Sequence, residues 1–202
     1  MLKTEKLKLV SEWDKTFPQS EKVDHKKVTF VNRYGITLAA DLYKPKNASG
    51  KYPAIAVSGP FGAVKEQCSG LYAQTMAERG YLTIAFDPSF TGESGGYPRF
   101  MASPDINTED FMAAVDFLSV REDVDPDKIG IIGICGWGGM ALNAAALDTR
   151  IKATVASTMY DMTRANATGY LDSEDSEEAR YAKTQSLTTL RTEKYSKGEY
   201  SR

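Results

Sequence analysis

Histidine is almost absent from this chain: its 202 residues carry one, His25. No histidine follows it, so none stands downstream to act as a catalytic base. Cysteine is nearly as scarce. Cys68 and Cys135 lie far apart and form no C-x-x-C pair, which speaks against a disulfide framework and against a zinc site. A charge excess is lacking too: 25 basic against 27 acidic residues leave a net −2, without the basic stripe that nucleic-acid binding needs. No run of about 18 apolar residues is there to span a bilayer. The charged start Met1-Leu-Lys-Thr-Glu-Lys-Leu has no apolar signal-peptide core. These absences point to a soluble cytoplasmic protein with no nucleic-acid or membrane partner, and no metal or cofactor is expected.

What is present is a rhythm of strands and helices. Leu2, Leu7, Val10, Trp13 and Phe17 are spaced as one helical face, so residues 1–25 read as a docking helix or an arm with an apolar patch. Val28–Val31 and Ile36–Tyr43 flank the turn Asn32-Arg-Tyr-Gly35 as an antiparallel hairpin. Ala54–Ser58, Leu82–Phe86, Ile129–Ile134 and Ala153–Ser157 read as short buried strands. Helices are predicted over 69–79, 108–119 and 138–147. Such alternation implies an α/β fold with a mostly parallel sheet and helices on both faces. The core is expected over 26–165. Residues 166–202, rich in Ser, Glu, Lys and Tyr, form a polar tail, helical or the start of a cap.

The run Lys128-Ile-Gly-Ile-Ile-Gly-Ile-Cys-Gly-Trp-Gly-Gly-Met140 is a strand that breaks into glycines before a helix. That is the local plan of a nucleophile elbow. Cys135 is the candidate nucleophile, since thiolates attack acyl carbons well and helix N-termini favour anions. The plain alternative is a small hydrophobe buried at a strand end. Counting from Gly133 puts the nucleophile at Cys135; counting back from Gly138-Gly139 puts it at Gly136 or Trp137. Gly59-Pro-Phe-Gly62 is placed for a second oxyanion donor, the N–H of Phe61, beside that of Gly136. Asp161 is a candidate triad acid or a helix cap. His25, among lysines, reads as solvated, and Asp87 with Gly92–Gly95 as a structural loop. Gly136-Trp-Gly138-Gly-Met-Ala141 also satisfies G-x-G-x-x-A, with Asp161 some twenty residues on, so a dinucleotide-binding fingerprint competes. Its place after several strands and the bulk of Trp137 weigh against it.

In order along residues 26–165, these motifs resemble the α/β-hydrolase superfamily, in its bacterial branch of dienelactone-hydrolase-like and X-prolyl-peptidase-like esterases. The likeness rests on Arg33–Pro45, Gly59–Gln67, Gly80–Gly96 and Gly133–Gly139. Gly133-Ile-Cys135-Gly-Trp-Gly138 is similar to a blend of the G-x-C-x-G-G and G-x-S-Y-x-G elbows of the two groups. A C-x-S-G-G elbow would put the nucleophile at the position of Trp137, so positions 135 and 137 both stand. The resemblance implies hydrolysis of a small ester or acyl compound through an acyl-enzyme, and a further strand and a histidine loop beyond Asp161. No histidine lies there, so the fold is expected to be incomplete at its C-terminal end, with an open sheet edge that invites homo-oligomers. A missing triad base costs roughly 10⁴–10⁶-fold in rate. The reading is a hydrolase, with a non-catalytic hydrolase-fold binding protein as the alternative.

Overall fold

The computed structural model describes residues 5–46 and 49–199. Six strands form one sheet: β1 (Val23–Val31), β2 (Thr37–Pro45), β3 (Tyr52–Ser58), β4 (Leu82–Phe86), β5 (Val124–Ile134) and β6 (Ile151–Ser157). Their spatial order is β1-β2-β4-β3-β5-β6. β1 and β2 pair antiparallel, as do β2 and β4, while β4, β3, β5 and β6 run parallel. Between the parallel strands cross α1 (Cys68–Glu78), α2 (Pro104–Ser119) and α3 (Gly136–Leu147). This is the expected α/β-hydrolase arrangement of a mostly parallel sheet behind an N-terminal hairpin.

Each element follows from its residues. Asn32 closes the hairpin, its Oδ1 accepting the N–H groups of Tyr34 and Ile36 at 3.1 and 2.9 Å. Its Nδ2 donates to Asp110 and Ser89, pinning the turn to α2 and to the end of β4. α2 starts four residues earlier than its apolar spacing predicts, because Pro104 presets the first helical turn. α2 and α3 cover one face of the sheet through Phe111, Leu118, Met140 and Ala144. α1 covers the other, where Ala73 and Ala77 meet Val57, Ala85 and Ile132. Phe111 is fully buried between Phe86 and the strands, and truncating such a side chain to Ala costs about 3–5 kcal/mol. Among the described residues β6 pairs with β5 alone, and its Val155 is half exposed.

Of the two forms expected for the N-terminal segment, helix or arm, the described residues take the arm. Over residues 5–17 there is no helix; Leu2 lies outside the described residues. Trp13 and Phe17 instead anchor an irregular arm, the Trp13 indole N–H donating to the Phe17 carbonyl at 2.9 Å and the rings meeting edge to face. Helical spacing arises here from two aromatic anchors four residues apart, while the arm's backbone and charged groups find partners in the core.

The chain divides into two compact units, the second beginning at Asp161. Within it are α4 (Met162–Thr168), a 3-10 turn (Tyr170–Asp172) and α5 (Glu177–Lys197). Ser176 caps α5 through the Ala179 N–H, and Gly198 ends it in a left-handed turn. No helix among the described residues is long and apolar enough to cross a membrane.

Candidate active site

Between β5 and α3 the chain turns at one residue. Cys135 sits at φ 58° and ψ −127°, a left-handed backbone that a non-glycine residue adopts only under constraint. The constraint is visible. The Cys135 N–H donates to the Ser157 carbonyl at 2.9 Å, continuing the β5–β6 ladder. Its own carbonyl accepts from Gly138 at 2.9 Å and Tyr160 at 3.3 Å. Strand and helix can approach so closely because Gly133 has no side chain: a Cβ there would lie 2.3 Å from the Trp137 carbonyl oxygen. The turn therefore leaves Cys135 half-buried at the tip. Trp137 lies inside α3, only 4 % exposed, and offers no reactive group. Gly136–Ala141, the dinucleotide-type sequence, is the buried face and first turns of this helix.

The loop after β3 is held against that turn. Gly59 has φ 104°, and a Cβ on it would stand 2.4 Å from the Ile134 carbonyl oxygen and 2.6 Å from the Trp137 ring. Two residues on, Phe61 stacks on Trp137, ring centroids 5.2 Å apart and 18° from parallel. The backbone N–H groups of Phe61 and Gly136 donate to no hydrogen bond among the described residues. Gly136 is the first residue of α3, where such unpaired N–H groups form the positive end of the helix. The elbow thus carries a half-buried thiol, and the Phe61 and Gly136 N–H groups are free of partners among the described residues.

Cys68, which the sequence reading left without a role, opens α1 with its Sγ 3.8 Å from the Gly59 carbonyl. Burial pushes its thiol pKa up, backbone N–H groups at the helix start work against this, and the nearby Cys135 adds to the rise. A cavity of about 430 Å³ opens beside the turn, walled by Phe61, Val64, Phe100, Met101 and Trp137.

Behind the loop lies a buried ion cluster. Lys65 is fully buried and its Nζ contacts Asp87 at 2.9 Å, Glu93 at 2.7 Å and Glu66 at 2.5 Å. Burial alone would lower its pKa, but the Asp87 charge and the three carboxylate hydrogen bonds outweigh it and hold the ammonium charged. Asp87 also accepts the N–H groups of Lys65 and Glu93, so one carboxylate ties the loop after β3 to the loop after β4. Asp14, Glu66 and Glu93 bring oxygens within 4.8 Å of one another, a spacing suited to a cation. Lys27 already holds that place, with Nζ 3.1, 3.4 and 2.6 Å from the three.

Two sequence candidates fall elsewhere. Asp161 is the N-cap of α4, accepting the Arg164 N–H at 2.9 Å. His25 is not solvated: its Nε2 lies 2.7 Å from Asp41 Oδ1, and its ring packs on Trp13 and Tyr43. Strand alternation puts His25 on the face of β1 that the N-terminal arm covers. Three strands stand between β1 and β5, roughly 19 Å at the usual strand spacing, so His25 serves no base function at Cys135.

Comparison with known proteins places these features in context. The model of a family described as X-Pro dipeptidyl-peptidase (S15 family) matches residues 34–199. The uncharacterized protein PA2218 of Pseudomonas aeruginosa is 72% identical over 168 residues, 83% of this chain and 45% of its own length. A crystal structure of PA2218 superposes with a TM-score of 0.94 at 64% identity, covering 97% of this chain and 61% of that one. Thiohydrolase aneE of Aspergillus aculeatus is 34% identical over 133 residues, 66% of this chain and 41% of its own. The α/β-hydrolase GrgF of Penicillium matches with a TM-score of 0.61 at 29% identity, over 65% of this chain and 44% of that one. This chain thus spans under half the length of the curated relatives it matches.

Proposed function

The chain belongs to the X-Pro dipeptidyl-peptidase (S15) family, and on that premise we propose that it carries the acylation half of a hydrolase site for small esters or thioesters. The observation that carries this reading is the left-handed turn at Cys135, which sets the one nucleophilic side chain of the elbow at its tip. In this reading the Cys135 thiolate attacks the substrate carbonyl carbon. The carbonyl electron pair moves onto oxygen, where the Phe61 and Gly136 N–H groups receive it. Collapse of the tetrahedral adduct expels the alcohol or thiol, protonated by water, and leaves a thioester on Cys135. The likeness to a thiohydrolase supports a thioester among the substrates.

Deacylation needs a base to activate water. The only histidine is held by Asp41 behind three strands, so turnover requires a base from outside these 202 residues. That same observation favours a second reading, a hydrolase-fold protein that binds without turnover. Asp161 acts in both as a helix cap. The outer edge of β6 is where a second copy would add a strand. Intact-mass measurement after incubation with p-nitrophenyl acetate separates the readings: one acetyl adduct, absent in Cys135→Ala, is expected for the first. A folded sample that gains no adduct leaves only the second.

A further inference from the structure

We propose that the cavity walled by Phe61, Phe100 and Trp137 selects an uncharged, aryl-bearing part of the substrate, an inference that deepens and rests on the acyl-transfer reading above. The cavity, about 430 Å³, has the size of a small-molecule site. Its apolar walls are Phe61 and Val64 from the loop after β3, Pro88, Phe100 and Met101 from the segment after β4, and Trp137 from α3. No carboxylate or lysine lines it. The Phe61 and Trp137 rings, stacked on one another, make part of this lining aromatic, which favours a ring over a flexible polar group.

The one cation in the lining is already engaged. Arg99 donates through Nη2 to the Gly92 carbonyl at 2.7 Å and through Nη1 to the carbonyls of Ser94, Gly95 and Gly96. Its guanidinium holds the glycine-rich loop together, so a carboxylate entering the cavity would find no free cationic side chain in its walls. Phe100, in the same lining, is 76 % exposed. Its backbone stands at φ 59° and its N–H is bound to the Phe90 carbonyl at 2.9 Å. A large apolar ring fixed at a cavity rim by its own backbone gains a covered environment when a ligand ring fills the cavity.

Binding of 4-phenylbutan-2-one and of 4-phenylbutyrate to the full chain, followed by saturation-transfer NMR and titration, tests this. The neutral ketone is expected to bind about tenfold more tightly than the carboxylate, and Phe100→Ala to weaken the ketone by about the same factor. Met101→Glu, which brings a charge into the wall, is expected to weaken it likewise. Equal or tighter binding of the carboxylate would make Arg99 the recognition element and overturn the proposal; so would unchanged ketone affinity in both folded variants. The ketone has no leaving group, so its binding is read apart from acylation. Ketone binding without an acyl adduct on Cys135 sinks the acyl-transfer reading and keeps the cavity; an acetyl adduct without ketone binding removes the cavity proposal alone.

Discussion

The loop from Gly59 to Gln67 is held from two sides, and the two are built on opposite principles. Toward Cys135 none of the participating residues is charged: Gly59, Phe61, Gly133, Gly136 and Trp137 act through backbone N–H groups, missing side chains and one aromatic stack. Toward the interior the same loop is fixed by charge, with Lys65 and Glu66 joined to Asp87, Glu93, Lys27 and, through Asp14, to the N-terminal arm. Backbone donors are fixed dipoles that need no reorganisation when an oxyanion forms. Buried ion pairs are poor sources of net stability, yet removing one partner is costly because the other is left uncompensated. The side that faces Cys135 is thus specified by shape, and the interior side by a charge balance that tolerates no single loss.

This contrast can be broken at several points. Lys65→Met leaves Asp87, Glu93 and Glu66 without their shared ammonium, and about 3–5 kcal/mol of stability should be lost in urea unfolding. A loss below 1 kcal/mol would show that the cluster is wetter and more adaptable than its burial indicates. Gly133→Ala places a methyl 2.3 Å from the Trp137 carbonyl. It should cost about 1–3 kcal/mol by overpacking and also slow acylation, since the first turn of α3 must move. An unchanged acylation rate would detach the helix N-terminus from the chemistry.

A smaller effect is expected from acid. For Asp41 and Glu93 burial alone would raise the carboxyl pKa, but hydrogen bonds from His25 and Lys15, and from Lys27 and Lys65, hold it below the usual values of 3.8 and 4.5. A carboxylate with a depressed folded pKa contributes stability above its unfolded pKa and loses it as pH falls through the folded value. Urea midpoints should therefore drop as the solution is acidified below about pH 4, and less so in Asp41→Asn. A midpoint that rises in that range would contradict the stabilising role given to the Asp41 and Glu93 carboxylates.

The same division explains what the sequence made legible. The elbow reads from residues close together in the chain, because Gly133, Cys135 and Gly136 impose a strand end, a turn and a helix start on their own neighbours. Sheet and crossover helices read equally well from short apolar runs and from stops such as Gly80. The ion cluster does not, because its members come from residues 14, 27, 65, 66, 87 and 93 and meet only through the fold. Asp87 accordingly reads as part of a loop, and its pairing with Lys65 becomes visible only in three dimensions. His25 looks solvated among lysines because nothing local announces the arm that covers it. Cys68 gave no signal beyond its residue type; its place at the start of α1 beside Gly59 is a product of the crossover.

The most direct test of the central claim is a stopped-flow record of nitrophenolate release from p-nitrophenyl acetate, with the protein at micromolar concentration and Cys135→Ala as reference. The account predicts a burst approaching one equivalent per chain, followed by a near-plateau as the acyl group stays on Cys135. No burst, or a burst that persists in Cys135→Ala, would contradict Cys135 as the nucleophile. Sustained turnover that disappears in Cys135→Ala would contradict the absence of a deacylating base within these residues.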